Sequence, residues 1–254
     1  MSPAYAVEAL KLRRSRVVRV ATLALALVPA AMARGFLAAA EHGGNDPASL
    51  KAQAMLPGIG WTGYLGGAMQ IYATAGVVGV GIVVGWCFGR EYADRTVVSL
   101  YASATPREAV ATAKFVLLTV WATATGLVAV LFTWLLGLTS GLGMPDDVGW
   151  NTLARLAALA VLSGLLALPV AAAASLGRGY LPAVGGLLAL VVLAQVAAIA
   201  GAGSWWPWST PAMWAMGPGA GLPAIPATHL LVVPVVALAG ALFTVQWWRH
   251  AEVV

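Results

Sequence analysis

The sequence predicts an all-α, polytopic membrane protein with six transmembrane helices, on the strength of its composition and of its apolar runs. Apolar residues make up 61% of the 254 residues and charged residues only 9%, against about 45–50% and about 25% in a soluble domain. The apolar residues form continuous runs near the length that a helix needs to cross a bilayer. Strands of a membrane barrel would instead alternate apolar and polar residues. The composition excludes a soluble enzyme, a DNA-binding domain and a disordered chain.

The apolar runs set the predicted spans. In chain order they cover 17–38, 64–88, 109–138, 153–176, 181–202 and 228–248. Pro29, Pro169 and Pro234 lie inside runs, where membrane helices tolerate proline and kink at it. Two glycines around Arg178 predict a tight turn between the fourth and fifth runs. We expect the first run to be retained as a helix, not cleaved as a signal peptide, because its basic leader is long.

The basic residues predict the orientation of the spans. Eleven of the 14 lysines and arginines lie before or just inside the first run, between the second run and the start of the third, between the fourth and fifth, or after the sixth; the others are Arg34, Lys51 and Arg155. The positive-inside rule then places both termini in the cytoplasm, which requires an even number of spans. The net charge of +5 is therefore interpreted as an orientation signal, with no nucleic-acid partner. We expect a multi-pass protein of the cell membrane.

Aromatic residues near the ends of the runs fit the same orientation. They are expected at the two interfaces, where tryptophan and tyrosine concentrate. The inner set is Trp86, Trp247 and Trp248, and the outer set is Trp61, Tyr64, Trp134 and Trp150.

The chain is expected to form one transmembrane domain over 1–254, with three further segments. The basic stretch 1–16 predicts an interfacial helix on anionic lipid. Segment 89–108 is predicted as a cytoplasmic loop and 203–227 as an outer re-entrant or interfacial segment. A short outer helix is predicted from Pro47 to Met55, with Asp46 as its cap.

The inner loop 89–108 carries two helix-start signals. Asp94 is predicted to cap a short helix that has Val97, Leu100 and Tyr101 on one face. The stretch 105–108, with the sequence Thr-Pro-Arg-Glu, is a capping box that places Pro106 at the first helical position. This arrangement favours a docking element for a soluble partner; the alternative is a loop that only sets topology.

The outer segment 203–227 contains no charged residue. It is rich in proline and contains four tryptophans, Trp205, Trp206, Trp208 and Trp214. A water-exposed loop of this length would rarely lack charge, so we expect the segment to lie in the interface or to re-enter the membrane. Thr210 and Pro211 predict a short helix ended by Gly217. The alternative is a hydrophobic loop buried in an oligomer.

Several motifs for nucleotide binding and catalysis are missing from the sequence. There is no Gly-x-x-x-x-Gly-Lys-[Ser/Thr] motif and no His-Glu-x-x-His or Gly-x-Ser-x-Gly motif, so we expect no catalytic residue, metal site or cofactor in this chain. The span centres contain no Asp, Glu or Lys, which argues against an ion-coupled pump. Gln70, Tyr72 and Gln195 are polar positions inside spans, suited either to helix–helix contacts or to a substrate.

The second run also contains glycines three and four residues apart, which give the predicted helix faces of small side chains. The glycines are Gly76, Gly79, Gly81 and Gly85. These faces predict close helix packing, with a dimer seam as one place for it.

Several segments together resemble a known family. They are the stretch 8–16 (Glu-Ala-Leu-Lys-Leu-Arg-Arg-Ser-Arg), the stretch 88–96 (Phe-Gly-Arg-Glu-Tyr-Ala-Asp-Arg-Thr), Pro106-Arg107, Ala113-Lys114-Phe115 and Trp121. In their order and spacing they resemble the ABC type-2 permease family, including permeases associated with bacitracin and lantibiotic export or self-protection.

The resemblance implies the permease subunit of an ATP-binding-cassette exporter for an amphipathic or hydrophobic substrate, such as a drug, an antibiotic peptide or a lipid. Two permease chains would pair, as a homodimer or with a second permease, and each would dock a separate ATPase subunit that holds ATP and Mg. The coupling residues it implies in the inner loop are Arg90, Glu91, Tyr92, Asp94, Thr96, Leu100, Tyr101, Pro106 and Arg107. The second and fifth helices would line the path, with Gln70, Tyr72 and Gln195 as candidates. Short re-entrant helices would match 205–227.

Two other functions remain as alternatives. One is a membrane-embedded assembly or sensor subunit without transport of its own. The other, an intramembrane enzyme, is disfavoured because no set of acid, base and nucleophile is visible.

Overall fold

The computed structural model describes residues 3–41, 46–96, 105–217 and 224–251, and these form helices and loops without a strand. The helices are α1 (Pro3–Arg14), α2 (Arg16–Glu41), α3 (Pro47–Met55), α4 (Gly60–Ala93), α5 (Arg107–Gly137), α6 (Asp147–Ala167), α7 (Val170–Leu176), α8 (Tyr180–Ile199), α9 (Thr210–Met216) and α10 (Val232–His250). A π-helical turn, Leu138–Leu142, extends α5, and a 3-10 turn, Ala227–Leu231, precedes α10.

Six stretches of the described residues are long and apolar enough to cross a membrane. They are Arg16–Glu41, Gly60–Ala93, Arg107–Leu142, Asp147–Leu176, Tyr180–Ile199 and Ala227–His250. Each coincides with one predicted run, so the prediction of an all-α protein with six spans is confirmed.

Proline and glycine shape the fourth span and its turn, as predicted. The helix breaks between α6 and α7, where Pro169 lacks the backbone N–H that would continue the ladder. Between α7 and α8 the chain reverses over three residues, with Arg178 at a φ of 54°. By contrast, α2 continues as a helix past Pro29, and Pro234 falls in the first turn of α10, where a missing N–H costs no intrahelical bond.

The helix boundaries alter the predicted inner loop. Helix α4 continues to Ala93, so the first part of segment 89–108 is helical. Helix α5 begins at Arg107, with Pro106 one position before it, and the Pro106 carbonyl accepts a hydrogen bond from the amide of Ala109 at 3.0 Å. The predicted first helical position was therefore wrong by one residue. Val97, Leu100 and Tyr101 lie outside the described residues.

Helix α4 is the centre of the bundle. It packs against α2, α6, α7 and α8, and Tyr64, Val83 and Phe88 on it are fully buried. Helix α8 instead turns an apolar face outward, with Leu181 and Ile199 more than 80% exposed. Such a face is suited to lipid or to another membrane helix.

Glycines set the close approach of α4 and α8. A Cβ added at Gly81, Gly85 or Gly89 would lie 2.6–2.9 Å from atoms of α8 or of the turn before it. The predicted close packing is confirmed, and it occurs within one chain. The faces of Gly76 and Gly79 are likewise filled, by side chains of this chain's own helices.

Three of the aromatic residues predicted at the interfaces are buried within the bundle, and their depth in the membrane stays a prediction. Trp61, Tyr64 and Trp248 have at most 8% of their surface exposed. Their polar atoms bond within the protein: the Tyr64 hydroxyl donates to the Thr133 carbonyl, and the Trp248 indole to the Ser175 hydroxyl. These contacts let an amphipathic ring pack in a core.

The bundle has two distinct ends. We call the end formed by α1, the last turns of α4, the first turns of α5 and the end of α10 the basic end. The opposite end, formed by α3, the first half of α4, the start of α6 and α9, is the cavity end. The positive-inside rule predicts that the basic end faces the cytoplasm.

Candidate functional site

A cluster of buried charges lies at the basic end. The ammonium group of Lys114 contacts two carboxylates, Glu8 Oε2 at 2.7 Å and Glu91 Oε1 at 2.9 Å. Lys11 joins the same two acids, at 2.7 Å to Glu8 Oε1 and 3.0 Å to Glu91 Oε1. We call Glu8, Lys11, Glu91 and Lys114 the ion cluster. Because it has two acids and two bases, its formal charge is zero.

Three of the four side chains in the ion cluster are almost closed to solvent, and Lys11 is 29% exposed. The side chain of Lys114 is 0% exposed, and the side chains of Glu91 and Glu8 are 1% and 4% exposed. Burying a charge costs several kcal/mol unless partners compensate it. Here additional hydrogen bonds complete the set, since Lys114 donates to the Cys87 carbonyl at 3.1 Å and the Thr96 hydroxyl donates to Glu91 Oε2 at 2.6 Å.

Local helix geometry brings these side chains together. Glu8 and Lys11 are three residues apart on α1, so they share one face. Helix α1 then ends, and Ser15 starts α2 by accepting a hydrogen bond from the Val18 amide at 3.2 Å. Glu91 lies in the last turn of α4, and Lys114 lies two turns inside α5. The ion cluster therefore joins the N-terminal helix to both helices that flank segment 94–106.

The end of α4 is held by its own polar residues. The amide of Asp94 donates to the Arg90 carbonyl at 2.8 Å, and their side chains are 3.9 Å apart. The Arg90 guanidinium lies 4.7 Å from the centre of the Trp86 ring. Arg95 has a φ of 56°, a left-handed conformation that ends the helix.

Arg107 connects the other side of this loop to the last helix. Its guanidinium donates to the carbonyl of Ala251 at 2.5 Å and to that of Arg249 at 3.1 Å. Carbonyls in the last turn of a helix have no intrahelical partner, and a cation there also complements the helix dipole. The start of α5 is thus fixed to the end of α10.

The predicted coupling residues divide into two groups. Asp94, Thr96 and Pro106 are exposed, and Arg90 and Arg107 are half-buried. Glu91 is buried in the ion cluster, and the half-buried Tyr92 packs edge-on against Trp248, with ring centres 6.3 Å apart. Leu100 and Tyr101 lie outside the described residues. That these side chains contact an ATPase stays a prediction.

Sequence reasoning did not find the other members of the ion cluster as site residues. Lys114 looked like a further cytoplasmic charge, and Glu8 and Lys11 looked like parts of an exposed basic leader. One signal was available: Lys114 lies five residues inside the apolar run that begins near 109. A lysine there needs a carboxylate partner, because an unpaired charge is costly in an apolar environment.

At the cavity end the structure brings together two of the three polar span residues. Gln70 of α4 and Gln195 of α8 line one cavity of about 230 Å³, together with Thr74 and Ser209. Tyr72 does not line it; its side chain is buried among the core residues of the same helix and its neighbours.

A second cavity adjoins the first. Its volume is about 500 Å³, and it shares Gln70 and Met216 with the smaller one. Its polar lining comes mainly from Asn151, Thr152 and Arg155 of α6. Helix α9 borders both cavities.

The four tryptophans of segment 203–227 lie around α9. Trp205 is 74% exposed and lies against the His229 ring, with centres 4.2 Å apart. The rings of Trp206 and Trp208 are 5.7 Å apart, and the Trp208 indole donates to the Leu166 carbonyl at 2.9 Å. The ring of Trp214 lies 5.3 Å from the Arg155 guanidinium. The contacts of Trp208 and Trp214 join this region to α6.

Two of the short helices predicted outside the spans, α3 and α9, are present. Helix α3 covers Pro47–Met55 as predicted, and the Asp46 carboxylate accepts from the Ser49 amide at 3.2 Å. Helix α9 ends at Gly217, which has a φ of 51°. Residues 218–223 lie outside the described part of the chain. That α9 re-enters the membrane stays a prediction.

Within the described residues, no group of three or more His, Cys, Asp or Glu side chains could hold a metal ion. The ion cluster has its charges balanced and its distances are those of ion pairs, so its chemistry is structural. It joins helices and offers no free acid or base.

Comparison with known proteins identifies a family. A family model described as "ABC-2 family transporter protein" matches residues 5–197. The matched stretch runs from α1 through nearly all of α8 and so includes the whole ion cluster. No curated protein and no solved structure matches the chain.

Proposed function

Because the chain belongs to the ABC-2 family of transporter proteins, it is a membrane permease of an ABC transporter, and we propose that it works as an exporter driven by ATP hydrolysis in a separate subunit. The family implies an ABC ATPase as partner. In the proposal, the substrate is amphipathic or hydrophobic, such as a drug, an antibiotic peptide or a lipid, and the permease pairs with a second copy or a second permease chain.

The observation that carries this proposal is the ion cluster beside segment 94–106. A force on this segment reaches both α4 and α5, and the ion cluster joins both helices to α1 through contacts of 2.7–3.0 Å. Separating these charges would leave some of them buried and unpaired, at a cost of about 3–5 kcal/mol. The three helix ends therefore move together, as transmission from an ATPase requires.

The proposed docking surface consists of segment 94–106 with the adjacent side chain of Arg90. Asp94 and Arg95 are exposed there and provide both signs of charge. Charged rims of this kind steer and orient a protein partner more than they add affinity. Glu91 has a different part in the proposal: it anchors this surface to the bundle from inside.

The proposed path follows α4 toward the cavity end. Gln70 and Gln195 line the smaller cavity among apolar side chains, a lining suited to cargo with both polar and apolar parts. Binding of ATP would favour one arrangement of the helices and its release the other, and cargo would cross between them.

Charge reversal tests the docking surface. Arg90→Glu and Asp94→Lys are expected to abolish co-purification with the ATPase subunit and to abolish efflux, whereas Lys51→Glu, an exposed charge at the cavity end, leaves both intact. Loss of ATPase binding with unchanged efflux would contradict the proposed coupling. Intact ATPase binding without any transported substrate would favour the assembly or sensor subunit.

A further inference from the structure

The larger cavity is lined by an arginine that has no acidic partner among the described residues. Arg155 lines it and is half-buried, and within the described residues no carboxylate lies within ion-pair distance of it. The contrast with Lys114 is direct, since that buried cation has two carboxylates. A partly buried cation that lacks a counter-ion is a site where an anionic ligand gains affinity.

The guanidinium of Arg155 is held in place by neutral groups. Its Nε donates to Asn151 Oδ1 at 3.1 Å and its Nη1 to the Trp214 carbonyl at 3.2 Å, while the Trp214 ring lies 5.3 Å away. A Cβ at Gly217 would lie 3.1 Å from Nη1, so the glycine makes room for it. These bonds use two of the five N–H donors of the group.

The acidic side chain that lines this cavity does not neutralise Arg155. Asp147 also lines the cavity, but it is exposed in the first turn of α6. Eight residues of helix separate the two, a rise of about 12 Å. Its charge interacts favourably with the N-terminus of its own helix.

The adjoining cavity offers a place for an apolar group. It shares Gln70 and Met216 with the larger cavity, and Val77, Val191 and Met213 contribute apolar side chains to its wall. The two cavities together thus have a fixed cation on one side and apolar walls on the other.

We propose that the paired cavities bind one anionic amphiphile, with its phosphate or carboxylate on Arg155 and its apolar chain against Val191 and Met213. The role of this ligand as cargo rests on the proposed function, whereas its binding does not. The site defines the substrate class more narrowly, as amphiphiles with a negative headgroup.

Binding of octyl phosphate to the full chain in phosphatidylcholine nanodiscs tests the headgroup. Arg155→Gln should weaken this binding by about tenfold or more, the loss expected for hydrogen bonds to a charged group. Arg155→Lys, which keeps the charge, should lose less, and Lys51→Gln should bind as the wild type does. Unchanged affinity in Arg155→Gln would overturn the proposal, as would octyltrimethylammonium binding as tightly as octyl phosphate.

A second variant tests the apolar part and distinguishes an amphiphile from free phosphate. Val191→Trp should fill the smaller cavity and weaken octyl phosphate, while inorganic phosphate binds weakly to both proteins. If inorganic phosphate binds as tightly as octyl phosphate, the apolar chain is not bound and the proposal is wrong. Equal unfolding temperatures of the variants and the wild type would show that the variants fold. If Arg155→Gln does not fold, the proposal is tested with Arg155→Lys and Val191→Trp.

The failure of this inference can be told from failure of the proposed function. If octyl phosphate binds through Arg155 but efflux needs no ATPase subunit, only the proposed function fails. If efflux depends on the ATPase but the affinity for octyl phosphate does not depend on Arg155, only the proposed anionic site is wrong.

Discussion

The two halves of helix α4 place their polar side chains in opposite environments. Near its C-terminus Glu91 is 1% exposed and contacts two lysines. In its first half Gln70 is exposed and faces two cavities. One half uses charge to fix three helices, and the other leaves polar groups next to open space. In the proposed function, stability and coupling depend on the basic end, whereas substrate selection depends on the cavity end.

The largest effect is expected from removing the central cation of the ion cluster. Lys114→Met leaves Glu8 and Glu91 with only Lys11, and the uncompensated buried charge should lower the free energy of unfolding by about 3–5 kcal/mol. Denaturation in detergent measures this loss. Lys51→Met, which removes an exposed lysine, is the matched control.

A compensating substitution sharpens that prediction. Lys114→Met combined with Glu91→Gln restores neutrality, because Glu8 and Lys11 remain paired. The double variant should be more stable than Lys114→Met alone, since residues in one network are strongly non-additive. A double variant less stable than the single one would show that the cluster does not act through its charge balance.

A smaller effect is expected where α5 meets the end of α10. Arg107→Ala removes the donors to the carbonyls of Ala251 and Arg249, and hydrogen bonds to a charged group contribute about 1.5–3 kcal/mol. The last turn of α10 should then exchange its amide hydrogens faster. Arg249→Ala keeps the carbonyl and provides the control; equal exchange in the two variants would contradict the assignment.

Helix packing near the basic end predicts a comparable loss. In Gly89→Ala the new Cβ would lie 2.9 Å from the Gly179 carbonyl carbon, which must move, and overpacking of this kind costs about 1–3 kcal/mol. Gly35→Ala is the control, because nothing lies within 4 Å of a Cβ there. In thermal unfolding, Gly89→Ala should unfold at a lower temperature than Gly35→Ala. A Gly89→Ala protein as stable as the control would disprove the close contact.

The smallest effect on stability is expected at the cavity end. Gln195 is exposed, so Gln195→Leu should change the free energy of unfolding by no more than about 0.5 kcal/mol. Transport of polar amphiphiles should fall relative to apolar ones, because the cavity loses one of its polar groups. A large loss of stability would instead assign Gln195 to the fold.

The sequence was sufficient for features that depend on neighbouring residues. The six apolar runs, the helix from Pro47 to Met55 and the break at Pro169 follow from hydropathy, capping and the missing proline N–H, all of which act within a few residues. Pro29 is the exception, because α2 continues past it although it lacks the same backbone N–H.

The ion cluster could not be predicted in this way, because its members are far apart in sequence. Lys114 is 106 residues from Glu8 and 23 from Glu91, and no periodicity reports contacts at such separations. Glu91 consequently looked like a surface residue beside Arg90. The pairing of Gln70 with Gln195 in one cavity was expected only from the resemblance, and Tyr72 shows that a polar residue on the same helix can face the core.

In the proposed function, the ion cluster transmits movement from the ATPase to the helices. The most direct test measures substrate transported per ATP hydrolysed in proteoliposomes that contain the permease and its ATPase, for the wild type and for Lys114→Met/Glu91→Gln. The variant is expected to bind the ATPase still but to transport about tenfold less substrate per ATP, within the range of typical coupling free energies. An unchanged ratio in a folded variant with bound ATPase would contradict it.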